Sequence, residues 1–359
     1  MKKLSDFSDD INKCSKCGKC QEVCPVYKIT GNDCAVSRGK FVMLQGVLKG
    51  DLKLSKTIEK YLNLCLKCGK CKDFCPSDID VCEIFNTAKH EYVKDTIYGK
   101  ITRFLQARSF FNKILAIGKC FKRVDYKSEG STKLLYFKGC ANTINPKSEI
   151  AMKKVLSNFD VELIEKDFEC CGVPFLSSGN IERYEEVKKH NLELLKGDYS
   201  YIITDCASCE SALKDYYKNT KDLNEPNIIN ICHFLAIQDK KFIFKKHLKV
   251  TFHKPCHLKS DAFLKPLLSR CENIEYIEAK DYDECCGFAG EFAIRNPKLS
   301  MKMTKQKAKN LADTGADVIL TACPSCIIGI HQGFLGKKHS KIMNIIEFLA
   351  RADKIIQNK

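Results

Sequence analysis

A chain of 359 residues, 44 % hydrophobic and 29 % charged, has room for two or three domains with their own cores and is too apolar for wholesale disorder. Its 23 cysteines amount to about 6 %, short of the roughly 8–10 % of a small disulfide scaffold, in a chain too long to need stapling. The formal charge of +16 is carried by 52 Lys against 8 Arg, which argues against a nucleic-acid partner, because paired reading of bases and phosphates uses the planar guanidinium.

The first residues turn acidic at Asp6, Asp9 and Asp10 without an apolar run, so no secretory leader is expected. No stretch approaches the ~18 apolar residues of a membrane span. The expectation is a reducing cytoplasm, where dense cysteine signals metal or redox chemistry.

Two runs of the form C-x2-C-x2-C-x3-C-P come next: Cys14, Cys17, Cys20, Cys24-Pro25 and Cys65, Cys68, Cys71, Cys75-Pro76. This is the spacing of bacterial two-cluster ferredoxins, in which the fourth cysteine of each run serves the other cluster. Three cysteines at two-residue intervals wrap a loop so that three thiolates meet three irons of one cube, and the proline then turns the chain away. The pattern predicts two 4Fe-4S cubanes, one on Cys14, Cys17, Cys20 and Cys75, the other on Cys65, Cys68, Cys71 and Cys24. Structural zinc would use two C-x2-C pairs per metal rather than triplets. Between the runs, residues 37–48 and 55–64 are patterned for helices separated by Gly50-Asp51. Arg38 and Lys40 lie on the first of them, as residues that tune a cubane or as part of a solvated face.

Residues 100–123 read as a basic amphipathic helix, with Ile101, Phe104, Leu105 and Phe111 among Lys100, Arg103, Arg108 and Lys113. Such a helix packs between domains or lies on a partner or an anionic membrane surface. The interdomain role is the expectation and peripheral membrane contact the alternative.

An internal repeat follows. Cys140, Cys170-Cys171-Gly172, Cys206 and Cys209 recur as Cys256, Cys285-Cys286-Gly287, Cys323 and Cys326, at offsets of 115–117 residues, which marks a duplication. Each group follows an apolar, strand-like run: residues 134–137, 161–164 and 201–204 in the first copy, and 250–252, 274–277 and 318–321 in the second. Helical stretches such as 181–195 and 299–311 alternate with them. The pattern predicts parallel sheets, whose ligands gather beyond the carboxyl ends of the strands. Gly172 and Gly287 are expected at positive φ or a close backbone approach. Cys206 and Cys323 are expected to open helices, whose free N–H groups favour thiolates.

His253 and His257 flank Cys256 without counterparts near Cys140. Each is a candidate to donate a proton or a hydrogen bond to cluster sulfur, with His257 favoured, or a structural histidine. Cys34, Cys82, Cys120, Cys232 and Cys271 fall outside the motifs and read as small core hydrophobes or exposed thiols. Neither a Walker loop nor a G-x-G-x-x-G run occurs, so no nucleotide or flavin is expected on this chain.

Together these motifs resemble the iron-sulfur subunit family of glycolate and lactate oxidases and the related D-type subunit of heterodisulfide reductase. Cys24-Pro25-Val26-Tyr27, Ser37-Arg38-Gly39-Lys40, Cys171-Gly172-Val173-Pro174, Cys256-His257-Leu258 and Cys286-Gly287-Phe288-Ala289-Gly290 carry the resemblance from about residue 12 to 349. Val36-Ser37 departs from the Ser-Pro of the glycolate branch.

The reading is α+β overall: a helical two-cluster ferredoxin domain over 1–98, a basic connector over 99–132, and two repeated α/β cysteine-rich (CCG) domains over 133–248 and 249–359. The resemblance implies, besides the cubanes, one or two further clusters, non-cubane in type, on Cys140, Cys170, Cys171, Cys206 and Cys209 and on Cys256, Cys285, Cys286, Cys323 and Cys326. The favoured function is the electron-transfer subunit of a flavin-linked 2-hydroxy-acid dehydrogenase acting on glycolate or lactate, in the cytoplasm or at the cytoplasmic membrane face. It would relay electrons between a separate FAD subunit and a quinone or other acceptor. The alternative is a disulfide reductase of the heterodisulfide type, with cleavage at the second five-cysteine set and His257 assisting. A regulator without turnover is disfavoured, because four clusters exceed what sensing needs.

Overall fold

The computed structural model describes residues 2–107, 129–217 and 228–358, which form two compact units. The first takes the described part of Met1–Phe110 with Pro174–Glu185 and Gly287–Lys302, and the second the described parts of Phe111–Val173, Glu186–Cys286 and Met303–Lys359.

The first unit is helical, as its sequence pattern predicts. Helices α1 (Ser37–Lys49), α2 (Lys56–Leu62), α3 (Val81–Val93) and α4 (Ile97–Gln106) are its main elements. α2 starts where the Ser55 hydroxyl accepts the Ile58 amide, and α3 where the Asp80 carboxylate accepts the Glu83 amide at 3.1 Å; both satisfy amides that a helix start leaves open. Leu4, Phe7, Ile11, Phe41, Leu44, Ile84 and Phe85 are buried in one core, and Cys14, Cys65, Cys71 and Cys75 pack against it. α1 seats on the 33–35 turn only because residue 39 is glycine: a Cβ there would fall 2.2 Å from the Asp33 carbonyl oxygen.

Within the same unit a charged network fastens Gly287–Lys302. Lys89 Nζ reaches Glu291 at 3.2 Å and the Ser177 carbonyl at 2.8 Å. Tyr98 donates to Glu291 at 2.6 Å, and the Arg295 guanidinium stacks 3.8 Å from the Tyr98 ring centre while pairing with Glu59. Burial pulls the Lys89 ammonium down to about 8, with Glu291 opposing. Burial, then the bond to Glu291, pushes the Tyr98 phenol up to about 12. α4 is the described start of the basic amphipathic helix; Ile101 and Phe104 on it are exposed. The rest of that predicted helix and Cys120 lie outside the described residues.

Two parallel sheets make the second unit. β1 (Thr132–Tyr136), β2 (Val161–Glu165), β3 (Tyr201–Thr204) and β4 (Ile228–Asn230) pair in the order β2-β1-β3-β4. β5 (Lys240–His253), β6 (Cys271–Tyr276), β7 (Val318–Thr321) and β8 (Lys341–Asn344) pair as β6-β5-β7-β8, and β9 (Lys354–Gln357) adds an antiparallel edge to β5. All six predicted strand runs are found in these sheets; β4, β8 and β9 are additions that the sequence pattern does not show. The duplication extends past the cysteines. Asn230 and Asn344 end β4 and β8 and cap the next helix, accepting the Cys232 amide at 3.1 Å and the Ile346 amide at 3.2 Å. Helices α5 (Ile181–Leu195), α6 (Ala207–Ser211), α7 (Pro297–Ala312) and α8 (Pro324–Gly333) complete the parts that bear on the thiols.

Candidate metal centres

In the first unit both cysteine runs wrap the same way. Lys16 and Gly18 in one, and Lys67 and Gly69 in the other, take positive φ, and this left-handed turning lets neighbouring thiols face inward. Cys14, Cys17, Cys20 and Cys75 line one cavity, with Cys71 and Arg38 also on its wall. The fourth cysteine of the second run thus stands with the first three of the first run. Cys24 in turn lies within electrostatic reach of Cys65 and Cys71. Burial pushes the Cys24 and Cys71 thiols up. Cys65 is half-buried, and although desolvation opposes it, Lys67 and Lys40 pull its thiol down, and the Lys67 amide points at its sulfur at 3.4 Å.

Arg38 and Lys40, two residues apart in sequence, serve different groups. Arg38 pairs with Asp33 at 3.3 Å on the wall of the first cavity. Lys40 is 1 % exposed, donates to the Ala35 and Leu64 carbonyls and lies near Cys65 and Cys24, which favour its charge against the burial that lowers its pKa. Cys82 is buried beside Cys65 and Cys68.

In the second unit each sheet delivers its thiols beyond the carboxyl ends of its strands. Cys140 follows β1, Cys170 and Cys171 follow β2, and Cys206 caps α6 after β3. The five thiols form one chain of contacts. Cys140 and Cys170 are 3.5 Å apart, Cys171 bonds to Cys170 and Cys209, which pull it down to about 5, and Cys209 bonds to Cys206. A Cβ on Gly139 would fall 2.9 Å from the Cys209 sulfur. Gly172 has φ 88° and Gly287 φ 85°, so the turn after each cysteine pair requires glycine.

The second set repeats this design. Cys256 and Cys285 are 3.9 Å apart, Cys323 caps α8, and Cys326 bonds to Cys286 and Cys323. Cys323 also bonds to Cys206, so the two sets meet. His257 is half-buried; its Nδ1 lies 2.9 Å from the Ser208 hydroxyl, which is 3.9 Å from the Cys323 sulfur. His253 is fully buried, and burial pulls its imidazole down to about 3.

Several residues around the thiols escape a reading of the sequence. In the first copy Asn142 donates to Asp205 at 2.8 Å and to the Tyr136 hydroxyl at 2.7 Å, and burial pushes the Asp205 carboxyl up to about 6. Asn191 donates to the Cys170 carbonyl at 3.1 Å, and the Tyr217 hydroxyl to the Cys171 carbonyl at 3.2 Å. In the second copy buried Lys307 bonds to the Asp281 carbonyl; burial lowers its pKa, and Cys285 and Cys286 oppose that. Asn191 and Lys307 are each the eleventh residue of α5 and α7, so the repeat offset could have paired them. Of the cysteines outside the motifs, Cys82, Cys232 and Cys271 are buried and Cys34 is half-buried.

Clustered thiols that mostly touch one another, beside glycines that keep space open, form a donor set suited to iron and sulfide. Among the described residues no helix is long and apolar enough to cross a membrane. A 4Fe-4S dicluster domain model matches residues 10–79, and a cysteine-rich domain model matches 134–214 and again 250–331. The chain is 28 % identical to the B-type subunit of the CoM/CoB fumarate reductase of Methanothermobacter marburgensis, across 82 % of this chain and 62 % of that protein, and so spans less than two thirds of that relative. It is 28 % identical to the D-type subunit of the dihydromethanophenazine:CoB–CoM heterodisulfide reductase of Methanosarcina barkeri, across 80 % and 77 %. It is 30 % identical to lactate utilization protein A of Bacillus cereus, across 50 % and 82 %. Among solved structures, a hypothetical protein from Helicobacter pylori aligns with a TM-score of 0.55 over 98 % of this chain and 76 % of that one, at 9 % identity, a likeness of fold alone. With its paired cluster runs and duplicated five-cysteine sets, the chain belongs to the iron-sulfur electron-transfer family that includes the D-type heterodisulfide reductase subunits and lactate utilization protein A, whose members serve oxidoreductases.

Proposed function

We propose that the chain is the iron-sulfur subunit of an oxidoreductase complex that interconverts a disulfide and its two thiols at the CCG domains, exchanging electrons with a partner subunit through the dicluster domain. The observation that carries this reading is that both five-cysteine sets are complete and meet at Cys206 and Cys323. A pure relay has no need of a second full set. The relatives matched over about four fifths of the chain are a heterodisulfide reductase subunit and a CoM/CoB fumarate reductase subunit.

In this reading residues 1–98 hold two cubanes, on Cys14, Cys17, Cys20 and Cys75 and on Cys65, Cys68, Cys71 and Cys24. Residues 133–248 and 249–359 each hold a non-cubane cluster on their five cysteines, and 99–132 connect the parts. Iron-sulfur clusters supply one-electron steps at potentials set by their surroundings. Cleaving a disulfide takes two electrons from the partner and two protons, and yields two thiols. His257, half-buried and steered by Ser208, is placed to hold one of those protons beside the second set. Lys40 and Arg38, fixed beside different cysteine groups, raise the potentials of the respective cubanes by opposing their negative charge.

A second reading follows from the likeness to lactate utilization protein A. There the chain relays electrons from an FAD subunit oxidising lactate or glycolate to a quinone, at the cytoplasmic membrane face, where the exposed side of α4 would lie.

Anaerobic purification with native partners separates the two readings. Turnover of the CoB–CoM heterodisulfide, or of another mixed disulfide, without any hydroxy acid is the expected result. Cluster reduction by lactate or glycolate through a co-purifying flavoprotein, with no disulfide turnover, would replace it with the second reading.

A further inference from the structure

His253 ends β5, three residues before Cys256, and has no exposed surface. Neither ring nitrogen completes a hydrogen bond. The Tyr282 carbonyl lies close to the ring and accepts the Lys254 amide at 3.0 Å, which leaves its second lone pair for the imidazole. Leaving a buried polar group unsatisfied is costly, so a fold that keeps this imidazole in its interior has a use for it. The ring faces thiols: one nitrogen of His253 and the sulfurs of Cys286 and Cys326 lie within 4.8 Å of one another, all buried.

The first copy lacks this feature. Its counterpart to His253 is Phe137, buried and in ring contact with Phe168 at 4.8 Å. His257 does not substitute, because it is engaged with Ser208. Imidazole nitrogen and thiolate sulfur both ligate iron and zinc. A ligating imidazole is commonly oriented by a carbonyl at its other nitrogen, a place the Tyr282 carbonyl can fill.

We propose that His253 is a nitrogen ligand of the metal centre in the second CCG domain, which makes that centre mixed in ligation while the first remains thiolate-only. This rests on the reading that the second five-cysteine set binds an iron centre. An iron with a neutral imidazole in place of a thiolate is easier to reduce, so the second centre is expected to be the higher-potential one of the pair.

The test uses the full chain, purified anaerobically with its native partners and labelled with 15N in the histidine rings. Cys286→Ser first identifies which iron and which spectral component belong to the second set. Pulsed electron paramagnetic resonance on that component, in its paramagnetic state, is expected to show a directly coordinated 15N coupling, lost in His253→Gln and kept in His257→Gln. Mössbauer spectra of 57Fe-enriched protein do not depend on a paramagnetic state; they are expected to show one iron subspectrum that changes in His253→Gln and stays unchanged in Phe137→Leu. If Cys286→Ser removes no iron, the reading of the site itself fails. If it removes iron but labelled wild-type protein shows no histidine nitrogen coupling and His253→Gln leaves the Mössbauer spectrum unchanged, His253 is not a ligand while the iron site stands. The wild-type measurement decides the point even if His253→Gln does not fold.

Discussion

The two CCG domains hold the same five thiols at the ends of the same three parallel strands, yet they surround them differently. The first walls its set with neutral or internally matched groups: Tyr136, Asn142 and Asp205 bond to one another, and Asn191 and Tyr217 hold the carbonyls of the cysteine pair. The second has Phe252, Leu258 and Ala322 at the places of that triad, and brings His253 and Lys307 to the thiols instead. After duplication the cysteines were kept and the surroundings diverged; on the proposed reading, such differences give two like centres different potentials.

The largest effect should come from breaking one set at a time. Cys171→Ser and Cys286→Ser are each expected to remove the iron of one CCG domain and leave the other, as measured by iron analysis and low-temperature spectra. If either substitution empties both, the two sets hold a single shared centre and the comparison collapses.

Next in size is the buried triad. Asp205→Ala takes away the acceptor of the Tyr136 hydroxyl and leaves Asn142 only its bond to that hydroxyl, and should cost about 1–3 kcal/mol in denaturant unfolding. The triple variant Tyr136→Phe, Asn142→Leu, Asp205→Ala, which copies the second domain, should cost less than the single substitution. If it costs more, the triad does something beyond pairing with itself.

Lys307→Asn carries the surroundings the other way, giving the second set the residue type of the first. Removing that cation should lower the potential of the second centre, by about 59 mV for each ~1.4 kcal/mol of lost interaction in a one-electron couple. The first centre, farther from that charge, should move less, and redox titration of both would show it.

The smallest effect concerns Glu291, a charge that the second copy carries and that meets Lys89 within the first unit. With its pKa lowered to about 8 from 10.5, Lys89 is protonated in both folded and unfolded chains below pH 8. Between pH 8 and 10.5 only the unfolded chain keeps the proton, so stability should rise with pH across that window and level off above it. Lys89→Met should lose that slope, seen as the difference between the two unfolding profiles.

Much of this is legible in the sequence because cysteine has few roles at such spacing. The six apolar runs before the thiols form strands, since Val, Ile and Leu runs in an alternating β/α pattern leave little choice. The crossing of Cys75 to the first run's group, and of Cys24 to the second's, follows from the triplet spacing. What cannot be read depends on contacts distant in sequence. The three- and four-residue strands β4, β8 and β9 are too short to show a period. Lys40 looks like a surface residue until the 33–35 turn and the Leu64 carbonyl close over it. Neither Glu291 nor Arg295 signals that Gly287–Lys302 will pack beside Lys89 and Glu59. Adjacency to Cys256 puts His257 ahead of His253 in the sequence, where nothing shows that the end of β5 turns the His253 imidazole towards Cys286 and Cys326.

The contact between Cys206 and Cys323 is reinforced by the Ala207 amide, which donates to the Ala322 carbonyl at 2.9 Å. Two centres held by these sets, as proposed, would take up electrons in a coupled way. On the proposed reading, an electron added to one centre repels the next electron at the other, so the second reduction falls at a lower potential than the first. A reductive titration of this unit should therefore show two staggered one-electron waves instead of one two-electron wave, and proton uptake between them would draw the waves together as the pH falls.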